Sequence, residues 1–341
     1  MSDATGVLVI SECSAGQLPS AGGEIIAAGR QLADDLGEML VCGLLGYGLE
    51  RAAHEAISHG AAKVYLVDDP LLADVRPEFY LEALAHVCRA VQPRVLLMPR
   101  TPLGRDVAPR LAARLGTALA PDCLQVKIDP ATKQLLATRP VYGGNAMATV
   151  LCSETPQFAT VRPKAYRPLE PDPQRQGEVI PFQVSLDPSL AKTTIVSVAK
   201  EETAGVKLED ARIVVSGGRG LGGPEGFQPL ERLAKALGAG VGASRAAVDS
   251  GWVPYSWQIG LTGKTISPDV YITVGISGAS QHIAGCSGAK CIVAINKDRE
   301  ANIFRYARYG IVGDWQKILG ALLEAAEELR QSSDAPQVSA P

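Results

Sequence analysis

No run of apolar residues in this 341-residue chain is long enough to cross a bilayer, so no helical membrane span is expected. There is no basic excess either. Lys and Arg number 33 against 36 Asp and Glu, and a formal net charge of -3 lacks the positive field of a nucleic-acid binder. None of the seven cysteines (Cys13, Cys42, Cys88, Cys123, Cys152, Cys286 and Cys291) belongs to a Cys-x-x-Cys pair. Most sit in apolar segments, where a thiol packs as a small hydrophobe. Their odd number and irregular spacing fit a reducing compartment, not a disulfide framework or a zinc site. The four histidines, His54, His59, His86 and His282, lack metal-ligand spacing. The first residues carry no basic region or cleavage site before Val7–Ile10, which predicts a cytoplasmic protein.

What is present is a globular composition, 46% hydrophobic, in a chain long enough for two cores. The first half alternates apolar runs (Val7–Ser11, Met39–Gly43, Val64–Val67, Val95–Met98) with helical patterns (Glu24–Leu36, Arg51–His59, Glu78–Val91, Arg105–Leu115). Such alternation predicts a parallel sheet covered on both faces. Gln125–Ile128, Gln134–Arg139, Ala146–Cys152 and Gln157–Val161 follow without helices between them and predict a small antiparallel annex. A proline-rich stretch from Pro163 to Pro188 then reads as an extended crossing, because proline disfavours helix and central strand alike. The charged Lys200–Gly205 marks a linker. A second α/β unit follows, with strands at Arg212–Ser216, Ala239–Ala243, Val270–Val274 and Cys291–Asn296 and helices at Phe227–Leu237 and Trp315–Leu329. The predicted fold class is therefore α/β, with two domains, each a parallel-sheet Rossmann-like unit. Their expected bounds are 1–190 and 208–330, with a linker at 191–207 and a disordered tail at 331–341.

The chemistry concentrates between Ser216 and Asp314. Gly218, Gly220 and Gly223 form a Gly-x-Gly-x-x-Gly between a strand and a helix, where glycines let a backbone approach a pyrophosphate. The acidic residue expected after the next strand is missing; Ala243-Ser244-Arg245 stands there. The loop thus reads equally as a surface turn or a phosphate loop. Arg245 opens a helix, where its charge opposes the dipole, and that mismatch favours a ligand role. At this point of a dinucleotide fold it could also meet the 2′-phosphate of NADP. In Ser277-Gly278-Ala279-Ser280-Gln281-His282, Ser280 is placed to cap a helix, with His282 in its first turn. Asn296 and Asp314 follow strand-like runs and fall on the same edge, although Asp314 before Trp315 reads also as a helix cap. In the first half, Arg100-Thr101-Pro102-Leu103-Gly104-Arg105-Asp106 resembles an anion site without a nucleophile–base–acid set.

Together, Gly242–Asp249 (GASRAAVD), Gln258–Lys264 (QIGLTGK), Val274–His282 (VGISGASQH), Ala294–Asp298 (AINKD) and Tyr309–Asp314 (YGIVGD) closely resemble the alpha subunit of the electron-transfer flavoproteins. Thr101–Ala112 and Tyr142-Gly143-Gly144-Asn145-Ala146 extend the likeness into the first half. The resemblance implies one FAD in the C-terminal domain and pairing with a beta subunit. It implies Arg219 and Ser244 on the FAD phosphates and Arg245 over the isoalloxazine. Ile259, Gly260, Leu261 and Thr262 would border the ring, with Thr262 near N5. Ser277, Gly278, Ala279, Ser280, Gln281 and His282 would wrap the phosphates and the pyrimidine edge, with His282 near the C2 carbonyl. Asn296 and Asp314 would hold the adenosine half. Leu261 stands where the family often has Gln, and Ser280 where it often has Ile. The resemblance implies an electron carrier between flavin dehydrogenases, such as acyl-CoA dehydrogenases, and a quinone reductase or other acceptor. It also admits an electron-bifurcating variant whose beta subunit holds a second FAD. An NADP-binding dehydrogenase and a nucleotide-binding regulatory module are the alternatives read from the residues alone.

Overall fold

The computed structural model describes residues 4–13, 16–142, 146–197 and 206–333, and forms two compact units that divide between Val198 and Ala199. Of the motifs quoted above, Gly143 to Asn145 lie outside the described residues, as do residues 198–205 of the linker and 334–341 of the tail.

Unit 1 is built on β1 (Val7–Glu12), β2 (Leu40–Gly46), β3 (Lys63–Asp68), β4 (Val95–Pro99), β5 (Leu119–Cys123), β6 (Gln125–Ile128), β7 (Leu135–Val141), β8 (Ala146–Leu151), β9 (Gln157–Val161) and β10 (Glu178–Pro181). Its helices are α1 (Ser20–Leu36), α2 (Glu50–Ser58), α3 (Pro77–Val91) and α4 (Pro102–Leu115). A seven-stranded parallel sheet has the order β10-β3-β2-β1-β4-β9-β5. Residues of β1, β2 and β4 are buried almost throughout, as expected of strands covered on both faces. Two apolar clusters flank the sheet. One holds Val7, Val9 and the α1 residues Ile25, Ile26 and Leu32; the other holds Leu8, Ile10 and the α3 residues Phe79 and Leu84.

The annex differs from expectation. Only β6, β7 and β8 form the antiparallel three-stranded sheet. Gln157–Val161 is instead a wholly buried central strand between β4 and β5. Its polar residues mimic a surface strand, but both are satisfied inside. The Gln157 carboxamide oxygen accepts from the Leu135 N–H, and the Thr160 hydroxyl accepts from the Asp122 N–H at 3.0 Å. Leu119–Cys123, unassigned from the sequence, forms the far edge of the sheet despite Pro121. The proline-rich crossing contributes β10, which pairs with β3 at the other edge, where proline is tolerated.

Unit 2 is built on β11 (Ile213–Gly217), β12 (Gly240–Ala243), β13 (Val270–Val274), β14 (Cys291–Asn296) and β15 (Tyr309–Val312), with helices α5 (Phe227–Leu237), α6 (Arg245–Asp249), α7 (Ser280–Cys286) and α8 (Trp315–Ser333). The five strands are parallel in the order β12-β11-β13-β14-β15. Phe227, Leu230 and Leu233 of α5 and Leu319 of α8 share one apolar cluster with Val215, Val274 and Ile295 of the sheet. Helix α8 runs to Ser333, past the expected start of a tail at residue 331. Among the described residues no helix is long and apolar enough to cross a membrane. All seven cysteines are free, and only Cys13 and Cys291 are more than marginally accessible.

Candidate functional site

From β11 the chain passes to β12 on one side of the sheet, and β13 then pairs on the other. Loops leaving such a reversal diverge, and a crevice opens beyond the carboxyl ends of the strands. Here the crevice is a cavity of about 620 Å³. Its walls include Arg219 and Gly220 after β11, Ser244, Arg245, Ala246 and Asp249 after β12, and Gln258 to Thr262 from the next segment. Gly275, Ile276, Ser277, Ala279, Gln281 and His282 follow β13, Asn296 ends β14, and Asp298 and Ala301 follow it.

The glycine loop acts by letting two backbones cross. A Cβ on Gly218 would collide with the Gly275 carbonyl, and one on Gly220 would lie 2.8 Å from the Gly275 Cα. The Gly220 N–H donates to the Gly275 carbonyl at 3.0 Å. The loop does not run straight into a long helix. Two 3-10 turns, Arg219–Leu221 and Pro224–Gly226, precede α5, so the helix start is displaced from the crevice wall.

The segment Gln258–Lys264 is a tight turn pinned on both sides. The Ile259 N–H donates to Ala243 at 2.9 Å, and the Leu261 N–H donates to Gln281 at 2.7 Å. The Thr262 hydroxyl accepts from the Gln258 amide at 3.1 Å, which leaves its own proton free to donate to a ligand. The Ser244 hydroxyl is buried, with no hydrogen-bond partner among the described residues. A buried hydroxyl left unpaired is costly, so this atom suits an acceptor brought by a ligand. Arg245 is exposed, and its Nε donates to Asp249 at 3.1 Å. Arg219 is exposed too and has no ion pair among the described residues.

His282 is almost fully buried and both ring nitrogens are engaged within the chain. Nδ1 lies 3.1 Å from the Ile259 carbonyl, which can only accept, so Nδ1 carries the proton. Nε2 then accepts from the Tyr271 hydroxyl at 2.8 Å. Burial lowers its pKa to about 4, against a smaller opposing effect of the Ile259 bond, so the imidazole is neutral at physiological pH. Burial also raises the Tyr271 phenol well above its usual range. The neutral ring closes the cavity floor and carries no positive charge.

Of the residues singled out from the sequence, Arg219, Ser244, Arg245, Ile259, Gly260, Leu261, Thr262, Ser277, Ala279, Gln281, His282 and Asn296 come together on this cavity. Three do not line it. Asp314 accepts from the Gln316 N–H at 3.0 Å and caps α8. Gly278 (φ 79°) faces the Ile303 backbone, and its carbonyl accepts from Asn302 at 2.7 Å. Ser280 is the first residue of α7 and not its cap; Ala279 holds that position without a side-chain bond. Asn296 spends its amide on the Ile276 carbonyl and its oxygen on the Asp298 N–H, each at 3.0 Å. Asp249, Gln258 and Asp298 also line the cavity, and each falls in one of the family-like blocks of the sequence, where nothing marks it as a ligand residue. Tyr271 carries no sequence signal, because a lone Tyr inside an apolar strand reads as core.

In unit 1 the strand order also reverses, between β1 and β4. There Thr101 caps α4, accepting from the Gly104 N–H at 3.0 Å, and its hydroxyl donates to the Glu12 carboxylate. The anion-site likeness of Arg100–Asp106 is met by the chain's own carboxylate. Burial raises the Glu12 pKa, while Thr101 and Gly104 pull it down by a lesser amount.

Residues 7–187 match the electron transfer flavoprotein domain, and residues 207–287 match the electron transfer flavoprotein FAD-binding domain. The electron transfer flavoprotein subunit alpha of Thermoanaerobacterium thermosaccharolyticum is 45% identical over 97% of this chain and 100% of its own length. The corresponding subunit of Bacillus subtilis is 42% identical over 95% of this chain and 98% of its own length. The acryloyl-CoA reductase electron transfer subunit beta of Anaerotignum propionicum is 38% identical over 94% and 95%. The cavity agrees with the cofactor. It offers an unpaired buried hydroxyl at Ser244, two cations at Arg219 and Arg245 and a donor at Thr262, at the sheet edge where nucleotides bind. The chain therefore belongs to the electron-transfer flavoprotein family as an FAD-binding alpha subunit.

Proposed function

We propose that this chain is the FAD-carrying half of a heterodimer with the family's beta subunit, working in the cytoplasm as a carrier without a net reaction of its own. It accepts electrons from a flavin dehydrogenase of the acyl-CoA class and passes them to a quinone reductase or another acceptor. The observation that carries this reading is the crevice of unit 2, which presents cationic and hydroxyl groups at the sheet edge where nucleotides bind. The acryloyl-CoA reductase name of one relative supports an acyl-CoA oxidoreductase as an exchange partner, in that relative on the accepting side. FAD supplies reversible uptake of electrons. The protein's part is electrostatic: Arg245 stabilises the reduced ring, Thr262 donates to it, and Arg219 and Ser244 hold the phosphates. Asn296 would lie against the adenosine half. We further infer that residues 1–190 bind the partner, that 191–207 are the linker, and that 208–330 turn as one body around it.

The test is to mix the FAD-loaded chain with its beta subunit, a catalytic amount of acyl-CoA dehydrogenase and an acyl-CoA. Bleaching of the yellow flavin band, reversed by an acceptor, is expected. A flavin that stays oxidised with every acyl-CoA tried overturns the donor class. Bleaching by NADH alone would instead identify the bifurcating variant.

A further inference from the structure

Among the described residues two buried hydroxyls have no hydrogen-bond partner, Ser244 and Ser216. Ser244 lies on the wall of the cavity, where a ligand can reach it. Ser216 is different. It sits in β11, wholly buried, and is no part of that wall. A hydroxyl orphaned at full burial is costly, so its presence calls for a physical reason.

The reason stands on the neighbouring strand. Tyr271 belongs to β13, which pairs with β11, and is fully buried in an apolar cluster. Its hydroxyl donates to His282 Nε2 at 2.8 Å, while Nδ1 of the same ring donates to the Ile259 carbonyl at 3.1 Å. Burial, and then Cys286, raise the phenol pKa; the Ser216 hydroxyl opposes them. Ser216 therefore acts on the phenol oxygen while stopping short of a hydrogen bond. A phenol has one proton to give and lone pairs that accept. With the imidazole neutral, that proton is spent on Nε2 and Ser216 is left over. An imidazolium reverses the demand. Nε2 must then donate, the Tyr271 oxygen must accept, and the Tyr271 proton needs a new acceptor. The Ser216 oxygen is that acceptor. The orphan of one charge state is the partner that the other requires.

Cys286 is the other titratable group facing the pair, and its thiol is neutral, pushed up to about 12 by burial. Arg219, Arg245, Asp249 and Asp298 line the same cavity, yet the His282 shift has only burial and the Ile259 bond as causes. The ring thus responds to charge newly brought onto the cavity floor, and a negative charge there favours the imidazolium.

We propose that Ser216 and Tyr271 are positioning residues that let His282 take up a proton when an electron enters the bound flavin. The electron comes from the donor and the proton from solvent hydronium. The Tyr271 proton turns from Nε2 to the Ser216 oxygen, and no covalent bond within the chain is broken. The proposal rests on FAD occupying this cavity, and it adds to the fixed charge of Arg245 a positive charge present only after reduction.

The test is the nitrogen NMR spectrum of the histidine rings in the FAD-loaded full chain at about pH 6, where an unperturbed imidazole is near its own pKa. Spectra are taken oxidised and after full reduction with dithionite, with His282→Gln to identify the signals. The variants are Ser216→Ala, Tyr271→Phe and, as control, Thr273→Val, whose hydroxyl is already bound to the Val293 carbonyl at 3.4 Å. In the oxidised state the His282 ring should be neutral in the unaltered chain and in every variant that keeps it. Reduction should protonate it on both nitrogens in the unaltered chain and in Thr273→Val, but not in Ser216→Ala or Tyr271→Phe. The first-electron potential of Ser216→Ala should also vary less with pH, by up to a tenfold change in preference per pH unit, about 59 mV.

A ring that stays neutral in the reduced unaltered chain overturns the proposal, and so does equal protonation in Ser216→Ala. The Tm of Ser216→Ala should be unchanged or raised; a lowered Tm would mean that the hydroxyl is bound within the chain, and overturns it. Loss of flavin from Ser216→Ala would put the hydroxyl on the cofactor, with the same consequence. If that variant does not fold, a doubly protonated ring in reduced Tyr271→Phe overturns the proposal in its place. An unaltered chain that holds no flavin would instead remove the cofactor reading on which the proposal rests.

Discussion

The two parallel sheets reverse their strand order in the same way, one between β1 and β4 and the other between β11 and β13, but the two crevices end differently. In unit 1 the first strand ends in Glu12, whose carboxylate takes the Thr101 hydroxyl at the start of α4. In unit 2 the first strand ends in Gly217, the glycine crossing follows, and the buried Ser244 hydroxyl is left without a partner beside a cavity. Topology provides the same edge in both. What decides between a structural joint and a cofactor site is whether the chain brings its own anion or leaves donors and cations for someone else's.

The strongest way to break the contrast is to give unit 2 the feature that closes unit 1. Ser244→Glu places a carboxylate where the FAD phosphates are expected, so the variant should fold but purify colourless. Retained yellow colour at the unaltered flavin content would contradict the assigned role of Ser244.

A smaller effect is expected from protonation of the cavity floor. The His282 pKa is about 4 in the folded chain, below the usual 6.5. A depressed folded pKa contributes stability that is complete above the unfolded value and is lost as pH falls toward the folded one. His282 should therefore cost the fold on the order of 3 kcal/mol between about pH 6.5 and 4. Unfolding curves of the unaltered chain and His282→Gln across that window read this as their difference, and a constant difference would count against it. Nitrogen chemical shifts should also report a neutral ring protonated at Nδ1 at pH 7.

Next comes the flavin potential. Arg245→Ala removes a cation from beside the reduced ring and should lower the potential by about 60 mV per tenfold loss of preference in a one-electron couple. Asp249, which holds the Arg245 Nε, should act in the opposite sense and more weakly, so Asp249→Asn should raise the potential. Spectroelectrochemical titration of both checks the pair, and shifts of equal sign would contradict it.

The smallest effect lies in unit 1. A carboxyl whose folded pKa is raised stabilises the fold below its unfolded pKa, and that contribution is lost as pH rises through the folded value. Glu12→Gln should therefore gain relative to the unaltered chain from pH 4 to pH 7, by about 1 kcal/mol or less after the weakened bond from Thr101 is counted. A gain that shrinks with rising pH would show that the carboxylate is better solvated than its surroundings indicate.

The sequence made the alternation of apolar runs and helices legible, and with it two parallel sheets, because central strands such as Val7–Ile10 are apolar throughout and Val270–Val274 is so but for Tyr271 and Thr273. It concealed β9, whose Gln157 and Thr160 are buried but hydrogen-bonded internally. It concealed β5 behind Pro121 and the left-handed Asp122. In the site, quoted blocks at strand ends carried most of the cavity wall, since loops at one sheet edge converge whatever their length. Local pattern does not separate a wall residue from a cap, so Asp314 reads as a ligand residue although it caps α8, and Tyr271, the partner of His282, reads as core. Such distinctions depend on contacts across strands that sequence spacing does not encode.

The most direct test of the central contrast is flavin content per chain, measured by absorbance after desalting, for the unaltered protein, Ser244→Glu and Glu12→Ala. One crevice open and one closed by its own carboxylate predicts one FAD, none and one. Flavin kept by Ser244→Glu, or lost by a folded Glu12→Ala chain, would contradict the account.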